Sequence, residues 1–333
     1  QFLPWHTNAK ILKQQADIIV MLCANQLGSH TDLGGLADNL KAAELPVVAI
    51  GLGAQAKNTD KDISLSEGTM RWVEITSSLA ISSNPNLYVR GTYTQAQLEK
   101  LGFSCSVAGG CPSHFINESE NLGAKIAQNW AQMPKRVCVA AGHHGWHYTI
   151  PIEQQLISLI EARFYPGAYV AQSPEDMLKV ARGEFDSLAE STLTKIGEYV
   201  APHLNLDEFK TWCQTYARAF DDVPTWMDFL AQYDITIGHR YHGVALALQA
   251  EKMGITIAID SRTSELCSET GVPYIHHTQI DRPITRKSLF ENLVNFDAEK
   301  YDRFRKEKVK NYLQFLEFNQ LQPAEYLYKI AGA

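Results

Sequence analysis

The chain has no window of eighteen apolar residues, so no membrane-spanning helix is written into it. It also lacks an excess of positive charge. Its 30 Lys and Arg stand against 37 Asp and Glu, a formal net charge of −7. That balance excludes a broad basic face for nucleic acid and leaves room only for a local basic pocket. The six cysteines (Cys23, Cys105, Cys111, Cys138, Cys213 and Cys267) form no C-x-x-C pair. They read as reduced core thiols, which sets the expectation of a cytoplasmic protein. No G-x-G-x-x-G opens a helix after an early strand, so no nicotinamide fingerprint is present. No internal repeat or low-complexity tract is visible.

What is present is an ordinary globular balance, 45% hydrophobic and 20% charged, over 333 residues, which suits two domains of common size. Apolar β-type runs alternate with segments of helical period. Strands are expected at 17–22, 46–50, 86–89, 103–107, 136–141, 168–172, 235–238 and 255–259. Helices are expected at 36–43, 68–80, from Thr92 with Gln95 as a capping-box partner, 151–164, 225–233, 244–250 and 264–270, the last closed by Gly271. This alternation predicts an α/β fold of two Rossmann-like domains facing a cleft, resembling the GT-B arrangement, with C-terminal helices packing back. The polar stretch 117–134 marks the expected boundary. The expected domains are 1–133, 134–296 and a helical tail at 297–333. The region 183–220 reads as helical and partly inserted.

The most informative segment is Ile235-Thr236-Ile237-Gly238-His239-Arg240-Tyr241-His242-Gly243. A buried strand ends there and a helix begins. Such a junction directs backbone N–H groups and the helix dipole outward, which suits an anion. Arg240 adds a fixed positive charge, and His242 adds a group that titrates near neutrality. Other candidates also fall at strand ends: Gly53, Arg90, His114, His143, His144, Trp146, His147, Gly243 and Arg262. His143 and His147 lie four apart, a metal spacing only if helical. Gly145 and Trp146 argue for a loop, and no Glu stands between them, so no metal is expected. Nothing fixes a base beside Cys111, so it is expected to pack rather than react.

These residues resemble a known family. The segment Gly238-His239-Arg240-Tyr241-His242-Gly243 is similar to the R-x-H-G segment of the polysaccharide pyruvyl transferases. Asp260-Ser261-Arg262 is similar to that family's D-x-K/R turn. Leu87-Tyr88-Val89-Arg90-Gly91-Thr92, followed by Leu98 and Leu101-Gly102, is similar to its V-R-D-x-x-S/T…L…L-G segment. Gly110-Cys111-Pro112-Ser113 resembles its G-C-P-S loop, and Gly51-Leu52-Gly53-Ala54-Gln55 its G-x-G-x-Q loop. The order and spacing of these elements carry the match. Departures occur at Tyr241 (usually Leu), Gly91 (usually Asp) and His239 (usually Ser). The family's first strand and N-x-G-D loop are not found before Asp17; either the chain lacks them or it continues upstream.

The resemblance implies a GT-B-like fold and transfer of pyruvate from phosphoenolpyruvate to two hydroxyls of a sugar, with phosphate leaving and a cyclic ketal formed. No resident cofactor is implied; phosphoenolpyruvate is a co-substrate. On this reading Arg240 and His242 are catalytic, with Arg240 on the donor's phosphate or carboxylate and His242 in acid/base chemistry. Arg90, Gly243, Arg262 and Gly53 join Arg240 in holding the donor. His143, His144, Trp146, His147 and His114 meet the acceptor, a sugar or lipid-linked oligosaccharide, with Trp146 as a stacking surface. The structural alternatives are plain: Arg240 caps its helix or pairs with Asp260, His242 packs, and the glycines make turns. The basic run from Arg303 to Lys310 reads as a solvated helix face; it would also suit peripheral contact with an anionic membrane surface. Two other functions stay open: a nucleotide-sugar glycosyltransferase on the same fold, and a catalytically inactive carbohydrate-binding relative.

Overall fold

The computed structural model describes residues 2–56, 61–280, 282–293 and 296–332. The chain divides into two compact units. The first is Gln1–Glu120, Asp260–Gly271 and Phe304–Ala333; the second is Asn121–Ile259 and Val272–Arg303. The break therefore falls before the expected 133. The polar stretch around it contains a helix with a buried apolar side, and the tail is shared between the units.

In the first unit the order is α1 (Ala9–Gln15), β1 (Ile19–Leu22), α2 (Gly34–Ala43), β2 (Val47–Leu52), α3 (Glu67–Ser78), β3 (Leu87–Val89), α4 (Thr92–Lys100) and β4 (Ser106–Ala108). The four strands form one parallel sheet in sequential order. β2 reads Val-Val-Ala-Ile-Gly-Leu and is buried at every position, as a strand covered on both faces requires. One face packs Leu40, Trp72, Leu87 and Leu98. The other packs Val48, Ile50 and Tyr88 against Phe115, Val309, Phe315 and Ile330. α3 starts where Ser66 accepts the Thr69 N–H at 3.1 Å. The capping box expected at Thr92 does not form. Gly91 is the N-cap, Gln95 Nε2 donates to Ser106 O, and Glu265 accepts the Thr94 N–H at 2.7 Å.

The second unit holds α5 (Leu122–Asn129), β5 (Val137–Ala140), α6 (Ile150–Ile160), β6 (Ala168–Val170), α7 (Glu175–Arg182), α8 (Glu190–Val200), α9 (Leu206–Tyr216), β7 (Ala217–Arg218), α10 (Val223–Leu230), β8 (Ile235–Gly238), α11 (Tyr241–Gln249) and β9 (Met253–Ala258). After α12 (Ser261–Thr270), which belongs to the first unit, come β10 (Tyr274–His276) and α13 (Arg286–Leu293). α14 (Ala298–Phe318) and α15 (Glu325–Ala331) end the chain. The sheet is parallel throughout, in the order β10-β9-β8-β5-β6-β7. Its carboxyl ends bring the loops after β5, β6, β8 and β10 to one edge. The region 183–220 proves helical as expected, and it also supplies the edge strand β7.

No helix among the described residues is long and apolar enough to cross a membrane. The basic run of α14 is not simply a solvated face. Arg305 is 1% exposed. It donates to His114 O at 3.1 Å, to Ser119 O at 2.6 Å and to Asn117 O. Lys308 pairs with Glu269, both largely buried. Two of the five basic side chains therefore hold the first unit together and are not offered to a surface.

Candidate active site

In the second unit the β8–α11 junction is built by glycine. A Cβ at Gly238 would run into the backbone of Ala140 on the paired strand. One at Gly243 would lie 2.5 Å from Gln172 Nε2 and 2.9 Å from Ala140 Cβ. Glycine at both positions lets α11 start against the ends of β5 and β6. The helix begins at Tyr241, earlier than the sequence pattern suggested, so His242 and Gly243 sit in its first turn. First-turn N–H groups have no acceptor inside a helix, and the dipole is positive there.

Arg240 is the N-cap of α11. Its Nη2 donates to Ser173 O at 3.1 Å, and its guanidinium lies 4.7 Å from the centre of the Trp146 ring. One face of Trp146, the residue expected to stack on a sugar, carries the Arg240 guanidinium. His242 is half-buried, its ring edge against Tyr241.

The loop after β5 brings His143, His144 and Trp146 to the same edge. His143 stacks on His144 at 5.1 Å and lies 5.4 Å from Trp146. Its Nδ1 accepts the Gly145 N–H at 2.9 Å. Partial burial, then the charges of Arg240 and His144, lowers its pKa below the ordinary histidine value. His144 Nε2 lies 3.4 Å from Asp176 Oδ2. His147 is exposed in a single 3-10 turn, not on one helix face with His143. Among the described residues no group of three His, Cys, Asp or Glu side chains is arranged to hold a metal.

The first-unit candidates behave differently. Arg90 is 5% exposed, and its Nε donates to Gly51 O at 2.9 Å. Gly51 takes φ +81°, a conformation that favours glycine. A Cβ at Gly53 would stand 2.7 Å from Arg90 Cδ, so glycine lets the arginine stem cross. The Gly53 N–H donates to Ala24 O at 2.7 Å. Gly53 was expected among the residues holding the donor; its N–H is taken by Ala24 O, and its missing side chain makes room for Arg90. His114 was expected at the acceptor. It is 1% exposed, and burial, reinforced by Arg305 and Lys308, pushes its pKa down to about 3. It is a neutral core residue. Arg262 lies 3.4 Å from Asp260 Oδ2, while Asp260 Oδ1 caps α12 through the Thr263 N–H at 2.8 Å. Cys111 takes a contact from Ser113 Oγ at 3.1 Å, and all six cysteines are free thiols.

Sequence reasoning missed Glu153. Its carboxylate, fully buried on α6, meets His239 Nδ1 at 3.0 Å and accepts from Tyr169 OH at 2.6 Å and Gly142 N–H at 2.9 Å. The available signal was a charge on an apolar stripe, since Glu153 shares its helix face with buried Leu156, Ile157 and Ile160.

The chain is similar to S. aureus MnaA in a co-structure with UDP: 9% identity, TM-score 0.47, 95% of this chain and 80% of that one. It is also similar to Methanocaldococcus jannaschii UDP-GlcNAc 2-epimerase in complex with UDP-GlcNAc and UDP: 11% identity, TM-score 0.42, 91% of this chain and 78% of that one. Among curated proteins none matches the chain. The model of the polysaccharide pyruvyl transferase family matches residues 2–261. That span contains both strand-end arginines, Arg90 and Arg240, and His242 in the first turn of α11, and by this match the chain belongs to the polysaccharide pyruvyl transferase family.

Proposed function

We propose that the protein transfers pyruvate from phosphoenolpyruvate to two hydroxyls of one sugar in a polysaccharide or its lipid-linked precursor. The observation that carries this reading is the β8–α11 turn. There a seated guanidinium, Arg240, and a half-buried histidine, His242, share the positive end of a nine-residue helix.

The donor is a small polyanion with a carboxylate and a phosphate. Arg240 matches either group with its planar fork, and the helix end adds favourable potential. Chemistry begins when an acid protonates the methylene carbon, which makes C2 electrophilic. A sugar hydroxyl attacks C2. A neighbouring hydroxyl attacks next, the C2–O bond to phosphate breaks, and the ketal closes. Two hydroxyl protons are released; one balances the proton that became part of the methyl group, and the other leaves with phosphate. His242 is the side chain in the turn that this reading assigns to proton transfer. The loop with His143, His144 and His147 is the proposed acceptor side.

The test is phosphate release from phosphoenolpyruvate with a panel of sugar acceptors. Acceptor-dependent release, reduced at least a hundredfold in Arg240→Ala and His242→Ala, supports the reading. No release with any acceptor, together with no rise in melting temperature on adding phosphoenolpyruvate, overturns it. Arg90→Ala and Arg262→Ala in the same assay examine the first-unit arginines separately.

A further inference from the structure

The turn that carries Arg240 and His242 is preceded by His239, whose side chain the reaction above does not use. That side chain is fully buried, as is that of Glu153 facing it. The 3.0 Å separation brings Nδ1 within reach of the carboxylate oxygen Oε2. Glu153 Oε1 meanwhile gathers Tyr169 OH from β6 and Gly142 N–H from the end of β5. Burial drives this carboxyl towards its neutral form; His239, Tyr169 and Gly142 together outweigh it, and the group titrates below its ordinary range. Burial, then Glu153, holds the phenols of Tyr169 and Tyr199 above their usual value, so both remain protonated near neutral pH.

A stable fold does not need this pair. A carboxylate buried against a polar ring returns little net stability, and apolar residues of similar volume would serve as well. What the pair does provide is orientation. A carboxylate at Nδ1 keeps the proton on that nitrogen and fixes the ring plane. The other nitrogen, Nε2, is buried with no hydrogen-bond partner among the described residues.

Building on the pyruvyl-transfer reading, we propose that Glu153 is a positioning residue that acts through His239. It fixes the tautomer and the seat of that ring, and the seated ring holds the 238–243 turn where His242 exchanges protons with the substrate. Arg240 has its own anchors on Ser173 O and Trp146, so the effect falls on kcat more than on the donor KM.

Nitrogen NMR of the substrate-free protein reads the pair directly. The wild-type His239 ring is expected as the Nδ1–H tautomer. Glu153→Gln keeps an acceptor for Tyr169 and Gly142 but turns an amide N–H towards His239, so the ring should switch to Nε2–H. Steady-state phosphate release reads the role. Glu153→Gln and His239→Leu should each lower kcat about 10-fold to 100-fold, the scale lost when the group orienting a functional histidine is removed. The donor KM should stay within about twofold. His239→Asn retains a donor at the Nδ1 position and should keep kcat within about threefold of wild type. An Nε2–H ring in the wild type overturns the proposal. So does a kcat loss that disappears once corrected for the folded fraction, or full activity in Glu153→Gln. Should Glu153→Gln fail to fold, the contrast between His239→Asn and His239→Leu decides alone. A wild type silent with every acceptor sinks the pyruvyl-transfer reading and the role with it, whereas an active wild type with an equally active Glu153→Gln sinks only the role.

Discussion

His114 in the first unit and His239 in the second are buried to nearly the same degree, 1% and 2% exposed. Their electrical surroundings are opposite. His114 lies under Arg305 and Lys308, and burial together with those cations holds its pKa near 3. His239 faces a carboxylate at 3.0 Å. Burial therefore does not say what a histidine does. A ring among cations stays neutral and packs, whereas a ring on a carboxylate has its proton placed for it.

The strongest way to break the comparison is to remove the cation over His114. Arg305→Ala strips charge-assisted bonds from three carbonyls and should cost about 4 kcal/mol in urea unfolding. A loss below about 1 kcal/mol would mean that those bonds hold nothing together.

The pH dependence of stability sharpens the comparison. The folded pKa of His114 is depressed from 6.5 to about 3, so its contribution is fully present above 6.5 and is lost as pH falls. From that residue the unfolding free energy should fall by up to about 1.4 kcal/mol per pH unit below 6.5. Glu153 is lowered from 4.5, so its contribution is present above 4.5 and is lost only as pH falls through its folded value. Among the histidines the slope between pH 6.5 and 4.5 belongs mainly to His114, because His143 and His277, also lowered, are far less buried; Glu265, raised from 4.5 by burial, adds a slope of opposite sign just above 4.5. His114→Gln should flatten that window and leave below pH 4.5 only the part of the fall that belongs to the carboxylates. An unchanged slope would show that His114 protonates freely in the folded state.

Two arginines extend the contrast with smaller effects. Arg90 is enclosed and needs Gly53, so Gly53→Ala should cost about 1–3 kcal/mol as the new methyl meets Arg90 Cδ. Thermal melts of Gly53→Ala alone and with Arg90→Ala measure this; relief in the double variant identifies the clash. Arg240 rests on an aromatic face in a more open setting. Trp146→Phe should weaken donor binding only about threefold, less than 1 kcal/mol, read as the shift in donor KM. An unchanged KM would leave the indole a packing surface only.

Much of the architecture was legible because parallel strands covered on both faces are continuous apolar runs bounded by glycine or proline, as in residues 47–52 and 235–238. β7 and β10 were missed: β7 spans only two residues, and β10 reads Tyr-Ile-His, without the apolar run that marked the other strands. The last helices pack back as expected, but the sharing of Asp260–Gly271 by the first unit was illegible, since a local pattern says that a helix has an apolar face but not which sheet receives it. At the site, the R-x-H-G segment marked the turn correctly. Gly53 and His114 were misread because a glycine that admits a side chain, and a histidine sealed under an arginine, look like ligands in sequence. Glu153 was overlooked because an acid just after Pro151 passes for an ordinary helix-start residue.

The dispersed makeup of the first unit has a consequence during synthesis. One face of its sheet, with Ile50, Tyr88 and Phe115, is completed by Val309, Phe315 and Ile330. The second unit has all its residues by Arg303. On the ribosome the part that emerges first is therefore finished last. At about 5–20 residues per second, its sheet waits on the order of 10–40 s with an apolar face uncovered. The nascent chain is expected to need protection over that interval, and loss of the final helices should disable the first unit while sparing the second.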